Sequence, residues 1–312
     1  MEDRRRMPEG IIVPIPTPML RFDSLDVDGL SKMIERLIKA GVSGISILGH
    51  TGEEHCLDHI MKKAMISETC RIVDGRVPLL VSISDTSFNE SYVLAGVAHD
   101  CGATAMVFSP PYYLTAGQAE IVDFFEELLN AIPLPIVLYN IESPANIKIE
   151  PATILRLMEN ERIVGLKDSS ADIIYMKRVM ECIKEKRPSF KLYCGKEEVL
   201  FETLMLGGNG GFAGGANLFP ELYVKIFEEL KGGNYDACRR LQHIMMEINK
   251  TIFSIGHYHS SYLKGIKCAL NLMGLIADDY MALPFHKFNE PERVKVGEGI
   301  DYIKQEMKDY GI

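Results

Sequence analysis

The feature that most constrains this chain is an alternation. Short apolar runs recur at Ile11–Pro16, Gly44–Gly49, Pro78–Ser84, Ala103–Ser109, Pro135–Asn140, Ile163–Asp168, Lys191–Gly195 and Gly210–Gly214. Most are rich in Val, Ile or Leu without a polar face, the pattern of strands covered on both sides of a parallel sheet. Between them lie longer amphipathic stretches. Leu25–Ala40 places Leu30, Met33, Ile34, Leu37 and Ile38 at helical spacing, and Leu57–Val73, Asn89–Cys101, Gln118–Ala131, Pro151–Asn160 and Asp172–Lys186 behave similarly. Strand followed by helix eight times implies parallel strands with right-handed crossovers. Closure gives an α/β fold, a (β/α)8 TIM barrel. The alternative is a doubly wound open sheet, which usually has fewer strands and a glycine fingerprint after the first strand; none is present. After Lys231 only helices are expected, at Asn234–Ile255, Ser260–Met273 and Glu290–Asp309. No polar linker marks the transition. The expected organisation is a barrel over 1–233 and a helical extension over 234–312 packed on it.

The length of 312 residues accommodates a barrel of roughly 250 residues with such an extension. A net charge of −9 argues against nucleic acid as a partner. It leaves room for an anionic substrate, because local donors can bind a carboxylate inside an acidic protein. The 7 cysteines stand singly, in odd number and without a CxxC pair, which fits a reduced, cytoplasmic setting. The N-terminal MEDRRRMPEG has no apolar h-region, so no signal peptide is expected, and its arginines read as a solvated terminus. No apolar run reaches the roughly 20 residues that span a bilayer, so no membrane role is expected.

Barrel active sites lie at the C-terminal ends of the strands. The sixth run, Ile163–Lys167, ends in lysine. A charge there needs a partner or a function. Burial favours the uncharged amine that attack on a ketone requires; a rim pairing with Asp168 or another carboxylate is the structural alternative. The fifth run ends at Tyr139, one βα unit earlier, so Tyr139 and Lys167 can occupy equivalent positions on neighbouring strands. A phenol beside a Schiff-base lysine can move protons; a tyrosine capping the core explains the position as well. The second run leads into Gly49-His50-Thr51-Gly52-Glu53, where backbone N–H groups and the Thr51 hydroxyl can cradle a carboxylate.

Taken together, GHTGE (49–53), PPYY (110–113), YN (139–140), GLKDSS (165–170) and GGNGGFAGG (207–215) resemble the dihydrodipicolinate synthase / N-acetylneuraminate lyase family, in order and spacing over essentially the whole chain. The resemblance implies a class I mechanism with no cofactor. Lys167 would form the imine with pyruvate or another 2-oxo acid, and Tyr139 would donate and accept protons. Thr51 and the turn including Gly52 would hold the carboxylate, and Phe212 would line the site. Tyr113 matches a tyrosine that reaches across a dimer interface in family members, so a homo-oligomer, a dimer of dimers, is implied.

The departures narrow the expected activity. His50 stands where the family has a hydroxyl residue of a proton relay. Its near-neutral titration suits it to relay protons itself, or its side chain points away. Synthases carry an arginine shortly after YN to grip the second substrate's carboxylate. Pro144 stands at that position, Glu142 is also unusual, and no arginine lies between Tyr139 and Arg156. A proline cannot replace a bidentate guanidinium, which argues against synthase activity as the main function. Gly195, Glu197 and Glu198 resemble the lyase pattern, where carboxylates accept from a polyhydroxylated tail; an acidic helix N-terminus is the structural alternative.

The expected function is cleavage or formation of a 2-oxo-3-deoxy sugar acid or sialic-acid-like compound, with pyruvate and an aldehyde as partners. A dehydratase, a synthase, a metal-dependent aldolase and a non-enzymatic 2-oxo-acid-binding protein are the alternatives. No metal site is assigned, because His50, His55 and His59 lead into a helix running away from the mouth.

Overall fold

The computed structural model describes residues 7–112, 115–141 and 147–312. The alternation is realised as a closed barrel. Its strands are β1 (Gly10–Pro14), β4 (Gly44–Ile47), β5 (Leu79–Ser82), β6 (Ala105–Phe108), β7 (Ile136–Asn140), β8 (Ile163–Asp168), β9 (Lys191–Cys194) and β10 (Gly210–Phe212). The order around the barrel is β1-β10-β9-β8-β7-β6-β5-β4. The sequence-based expectation of a (β/α)8 barrel with additional C-terminal helices is borne out. Most barrel strands are buried along their whole length, as apolar runs without a polar face require. Closure rests on a close approach. Gly210 pairs with Gly10 at φ +148°, and a Cβ there would lie 1.9 Å from the Gly10 carbonyl oxygen. No side chain fits, which accounts for glycine at position 210.

The chain groups into two compact units. The first holds residues up to Ile12, Ser43–Ser46 and Pro78–Phe212; the second holds Val13–Val42, Ile47–Val77 and Ala213–Ile312. In the first, Leu80, Ala105, Val107, Val137, Tyr139, Tyr193 and Phe212 form a continuous core with Met7 and Ile12. Its helices are Phe88–Asp100, Gln118–Ala131, Pro151–Leu157, Ile173–Lys186 and Leu200–Met205.

The second unit holds the helices Val27–Lys39, His59–Val73, Pro220–Lys231, Tyr235–Ile248, Ser261–Leu272 and Glu290–Asp309. Asp26 and Asp58 cap the first two by accepting from the N–H groups of Gly29 and Met61. Two features depart from expectation. An antiparallel pair, β2 (Met19–Arg21) and β3 (Ser24–Leu25), precedes the first helix, whose start is delayed to Val27 by the Asp26 cap. The helix expected over Asn234–Ile255 is α-helical only to Ile248; a π turn follows over Asn249–Phe253, and Gly256 at φ +76° ends it. Among the described residues no helix is long and apolar enough to cross a membrane.

Candidate active site

In the first unit the site is built on β8. Tyr139 and Lys167 are Cα partners across β7 and β8, and Lys167 pairs in turn with Tyr193 on β9. Register puts all three side chains on one face of the sheet. Lys167 is only 5% exposed. Its Nζ lies 3.8 Å from the centroid of the Tyr139 ring and 4.7 Å from that of Phe212. Tyr193 meets Phe212 edge-on at 5.6 Å and donates its hydroxyl to the Pro8 carbonyl at 2.6 Å. Burial pushes the Tyr193 phenol far above its ordinary value, so it serves as a fixed wall rather than an acid.

The Asp168 carboxylate belongs to a different network. Its Oδ1 accepts from Asn140 Nδ2 at 2.7 Å and its Oδ2 from Ser170 Oγ at 2.8 Å. Consecutive strand residues point to opposite faces, which separates Asp168 from the face that carries Lys167. Asn140 Oδ1 accepts from the Ile149 N–H, and Tyr175 donates to the Ile149 carbonyl. This network therefore fixes Ile149, just ahead of the helix Pro151–Leu157.

Gly195 leaves room for two neighbouring side chains. A Cβ there would lie 2.0 Å from Ser169 Oγ and 3.1 Å from Lys167 Cε. A side chain there would turn the Ser169 hydroxyl away and crowd the lysine stem. Ser169, inside the GLKDSS motif but not singled out from the sequence, thus borders the same space; its Oγ is buried with no hydrogen-bond partner among the described residues. Glu197 is buried in the 3-10 turn Glu197–Val199, and Glu198 is half-buried.

In the second unit the 49–53 segment forms the expected tight turn. Residues His50–Gly52 make one 3-10 turn closed by Gly52 N–H to Gly49 carbonyl at 2.8 Å. Thr17 Oγ1 donates to the Gly52 carbonyl at 2.7 Å. Two non-glycine residues with left-handed backbone bracket the turn, Leu48 at φ 55° and Glu53 at φ 57°. Such conformations persist only where the surroundings over-determine them. Thr51 is buried, and its Oγ1 lies 3.2 Å from the Tyr262 hydroxyl, a neighbour that sequence reasoning missed. His50 is exposed on this chain. His55 is exposed beside Glu54, and His59 is half-buried at the head of its helix. Among the described residues no group of three His, Cys, Asp or Glu is placed to hold a metal. Tyr113, Glu142, Pro144 and the N-terminal arginines lie outside the described residues.

A buried lysine at a barrel-strand end, walled by aromatic rings and beside a glycine, has the surroundings in which an uncharged amine could capture a small carbonyl compound. The model of the dihydrodipicolinate synthetase family matches residues 7–303. YjhH of Escherichia coli K12, which carries the name of a 2-dehydro-3-deoxy-D-pentonate aldolase, is 30% identical over 92% of this chain and 94% of its own. A structure of dihydrodipicolinate synthase from Bacteroides thetaiotaomicron matches with a TM-score of 0.91 at 47% identity, covering 94% of this chain and 98% of that one. YagE of E. coli K12, solved in complex with pyruvate, matches with a TM-score of 0.89 at 28% identity, covering 95% and 98%. With a family model spanning nearly the whole sequence and relatives aligned from end to end, this chain belongs to the dihydrodipicolinate synthetase family.

Proposed function

We propose that the protein is a Schiff-base lyase that cleaves a 2-oxo-3-deoxy sugar acid, or a sialic-acid-like relative, to pyruvate and an aldehyde, and that runs the reverse addition when products accumulate. The observation that carries this is the Lys167 amine, buried at the end of β8 with its Nζ 3.8 Å over the Tyr139 ring. The amine attacks C2 of the 2-oxo acid and water leaves. The resulting iminium accepts the electron pair of the C3–C4 bond. Tyr139 takes the proton from the C4 hydroxyl as that bond breaks, releasing the aldehyde, and a proton returned to C3 followed by hydrolysis frees pyruvate. Thr51 and the Gly52 turn take the substrate carboxylate, with His50 beside them as a proton relay. Glu197 and Glu198 accept from the hydroxylated tail. Phe212 and Gly195 shape the space around the lysine. Every step uses the chain's own groups, without a cofactor. The enzyme works in the cytoplasm as a dimer of dimers in which Tyr113 serves the neighbouring site.

A second reading, condensation of pyruvate with an aldehyde by a synthase, is favoured by the 47% identity to the Bacteroides protein named as one. Pro144, where synthases carry the carboxylate-gripping arginine, favours the lyase.

Borohydride reduction in the presence of pyruvate, followed by peptide mass spectrometry, tests the mechanism. A reduced adduct on Lys167 that is lost in Lys167→Ala is expected; no adduct at saturating pyruvate would sink it. Pyruvate release from a panel of sugar acids, set against condensation of pyruvate with carboxylate-bearing aldehydes, then decides between lyase and synthase.

A further inference from the structure

The helix Ser261–Leu272 brings a second hydroxyl to the turn that carries Thr51. Tyr262 lies 211 positions from Thr51 in sequence, yet its hydroxyl is 3.2 Å from Thr51 Oγ1. The contact is prepared from several sides. The Phe253 ring packs against Tyr262 at 5.0 Å between centroids and 74° between planes, fixing the phenol's direction. Gly214 makes room for its tip, since a Cβ there would lie 1.7 Å from the hydroxyl oxygen. Five residues further along the same helix, Lys267 pairs with Glu53 and holds the other end of the turn. The helix therefore grips the turn twice, once through each residue flanking Gly52.

We propose that Tyr262 is a positioning and specificity-determining residue, whose hydroxyl turns the Thr51 hydroxyl into a donor for the carboxylate of the 2-oxo acid. This rests on the assignment of Thr51 to that carboxylate under Proposed function. A hydroxyl has one proton and two acceptor lone pairs. Two hydroxyls in contact share one hydrogen bond and keep one O–H for an outside acceptor. When Tyr262 donates to Thr51, the remaining proton is on Thr51 and is committed to the anion. Without that donor, a threonine hydroxyl satisfies itself on nearby backbone carbonyls, as isolated Ser and Thr side chains commonly do. A pair polarised in this direction rewards a charged acceptor and gives little to a neutral ester, so it selects 2-oxo acids over other ketones.

The test is the dependence of borohydride trapping at Lys167 on ligand concentration, with pyruvate and its uncharged methyl ester as probes. In Tyr262→Phe the pyruvate concentration for half-maximal trapping should rise about tenfold, as expected for loss of a hydrogen bond serving a charged group. Trapping at saturation and the thermal midpoint should not change, and the shift for methyl pyruvate should stay under about twofold. Thr51→Val/Tyr262→Phe should be no worse than Thr51→Val, because the tyrosine acts through the threonine. An equal shift for both ligands, an unshifted Tyr262→Phe, or additive losses would overturn the proposal. Failure of the wild-type enzyme to trap pyruvate would overturn the lyase reading itself and this inference with it, an outcome that separates the two because it appears before any variant is made.

Discussion

Lys267 and Glu53 form an ion pair from which solvent is excluded, with side-chain exposures of 1% and 0%. Lys267 Nζ also donates to the Tyr280 carbonyl at 2.7 Å, and Glu53 Oε2 accepts from the Ala282 N–H at 2.8 Å. Burial pulls the Lys267 ammonium below its ordinary value while Glu53 holds it up. The pair anchors a residue at φ 57° that closes the Thr51 turn. Removing one partner leaves a buried charge uncompensated. Lys267→Met should therefore cost about 3–5 kcal/mol in urea unfolding, and Lys267→Met/Glu53→Gln distinctly less. If the double variant were the less stable of the two, the pair would not be the source of the loss.

Gly195→Ala should slow trapping at Lys167 without unfolding the barrel. The new methyl would meet Ser169 Oγ at 2.0 Å and the lysine Cε at 3.1 Å, so the hydroxyl must turn away and the lysine stem must shift. A misplacement of roughly 1 Å at a reacting group can lower the rate about a hundredfold. Pyruvate trapping and circular dichroism measured together check this. Ser169→Gly/Gly195→Ala, which clears the closer contact, should recover part of the rate; recovery of none would move the cause elsewhere.

These two relationships show what the sequence made legible. The barrel strands could be read because each is buried on both faces and carries no competing pattern; their observed ends fall short of the apolar runs where the chain turns into the site, as at Gly49 and Gly195. The helix Glu290–Asp309 matches its expected bounds because Asn289 and Glu292 cap each other's backbone groups. Lys167 and Tyr139 were legible as a pair because one βα unit separates them. Tyr262 and Lys267 were not. Their partners lie more than 200 positions away, and neither residue breaks the local helical pattern. The 19–25 pair is a local hairpin too short for an alternation to register, and the 249–253 π turn lies within a helical spacing that it does not interrupt.

Asp168 should make stability fall as pH rises above the ordinary carboxylate range. Burial holds its carboxyl above its usual value, against hydrogen bonds from Asn140 and Ser170 that lower it. Between the unfolded and folded values the native state keeps a proton that the unfolded chain releases, so the native state is favoured at the acid end and loses that advantage as pH rises through the folded value. Asp168→Asn removes the titration while keeping an acceptor for Asn140 and a donor toward Ser170. Relative to wild type the variant should gain stability as pH rises from the ordinary carboxylate range toward neutrality. Urea midpoints that differ by the same amount at both ends would show that Asp168 does not titrate differently on folding.

Tyr139 offers two separable groups to the lysine, a ring and a hydroxyl. The ring face sits 3.8 Å from Nζ and belongs to the core with Val137 and Tyr193. The hydroxyl is the proton carrier in the proposed reaction. Tyr139→Phe keeps the packing and the aromatic face, so stability should change by less than about 1 kcal/mol. Turnover should fall about 10²–10⁴-fold, the usual worth of a positioned acid or base. Tyr139→Leu removes the platform as well and should add a loss of stability of about 1–3 kcal/mol through imperfect refilling of the core. Single-turnover rates beside urea midpoints distinguish the two effects. A Tyr139→Phe enzyme with wild-type turnover would take the proton transfer away from Tyr139 and leave the residue as the wall against which Lys167 is held.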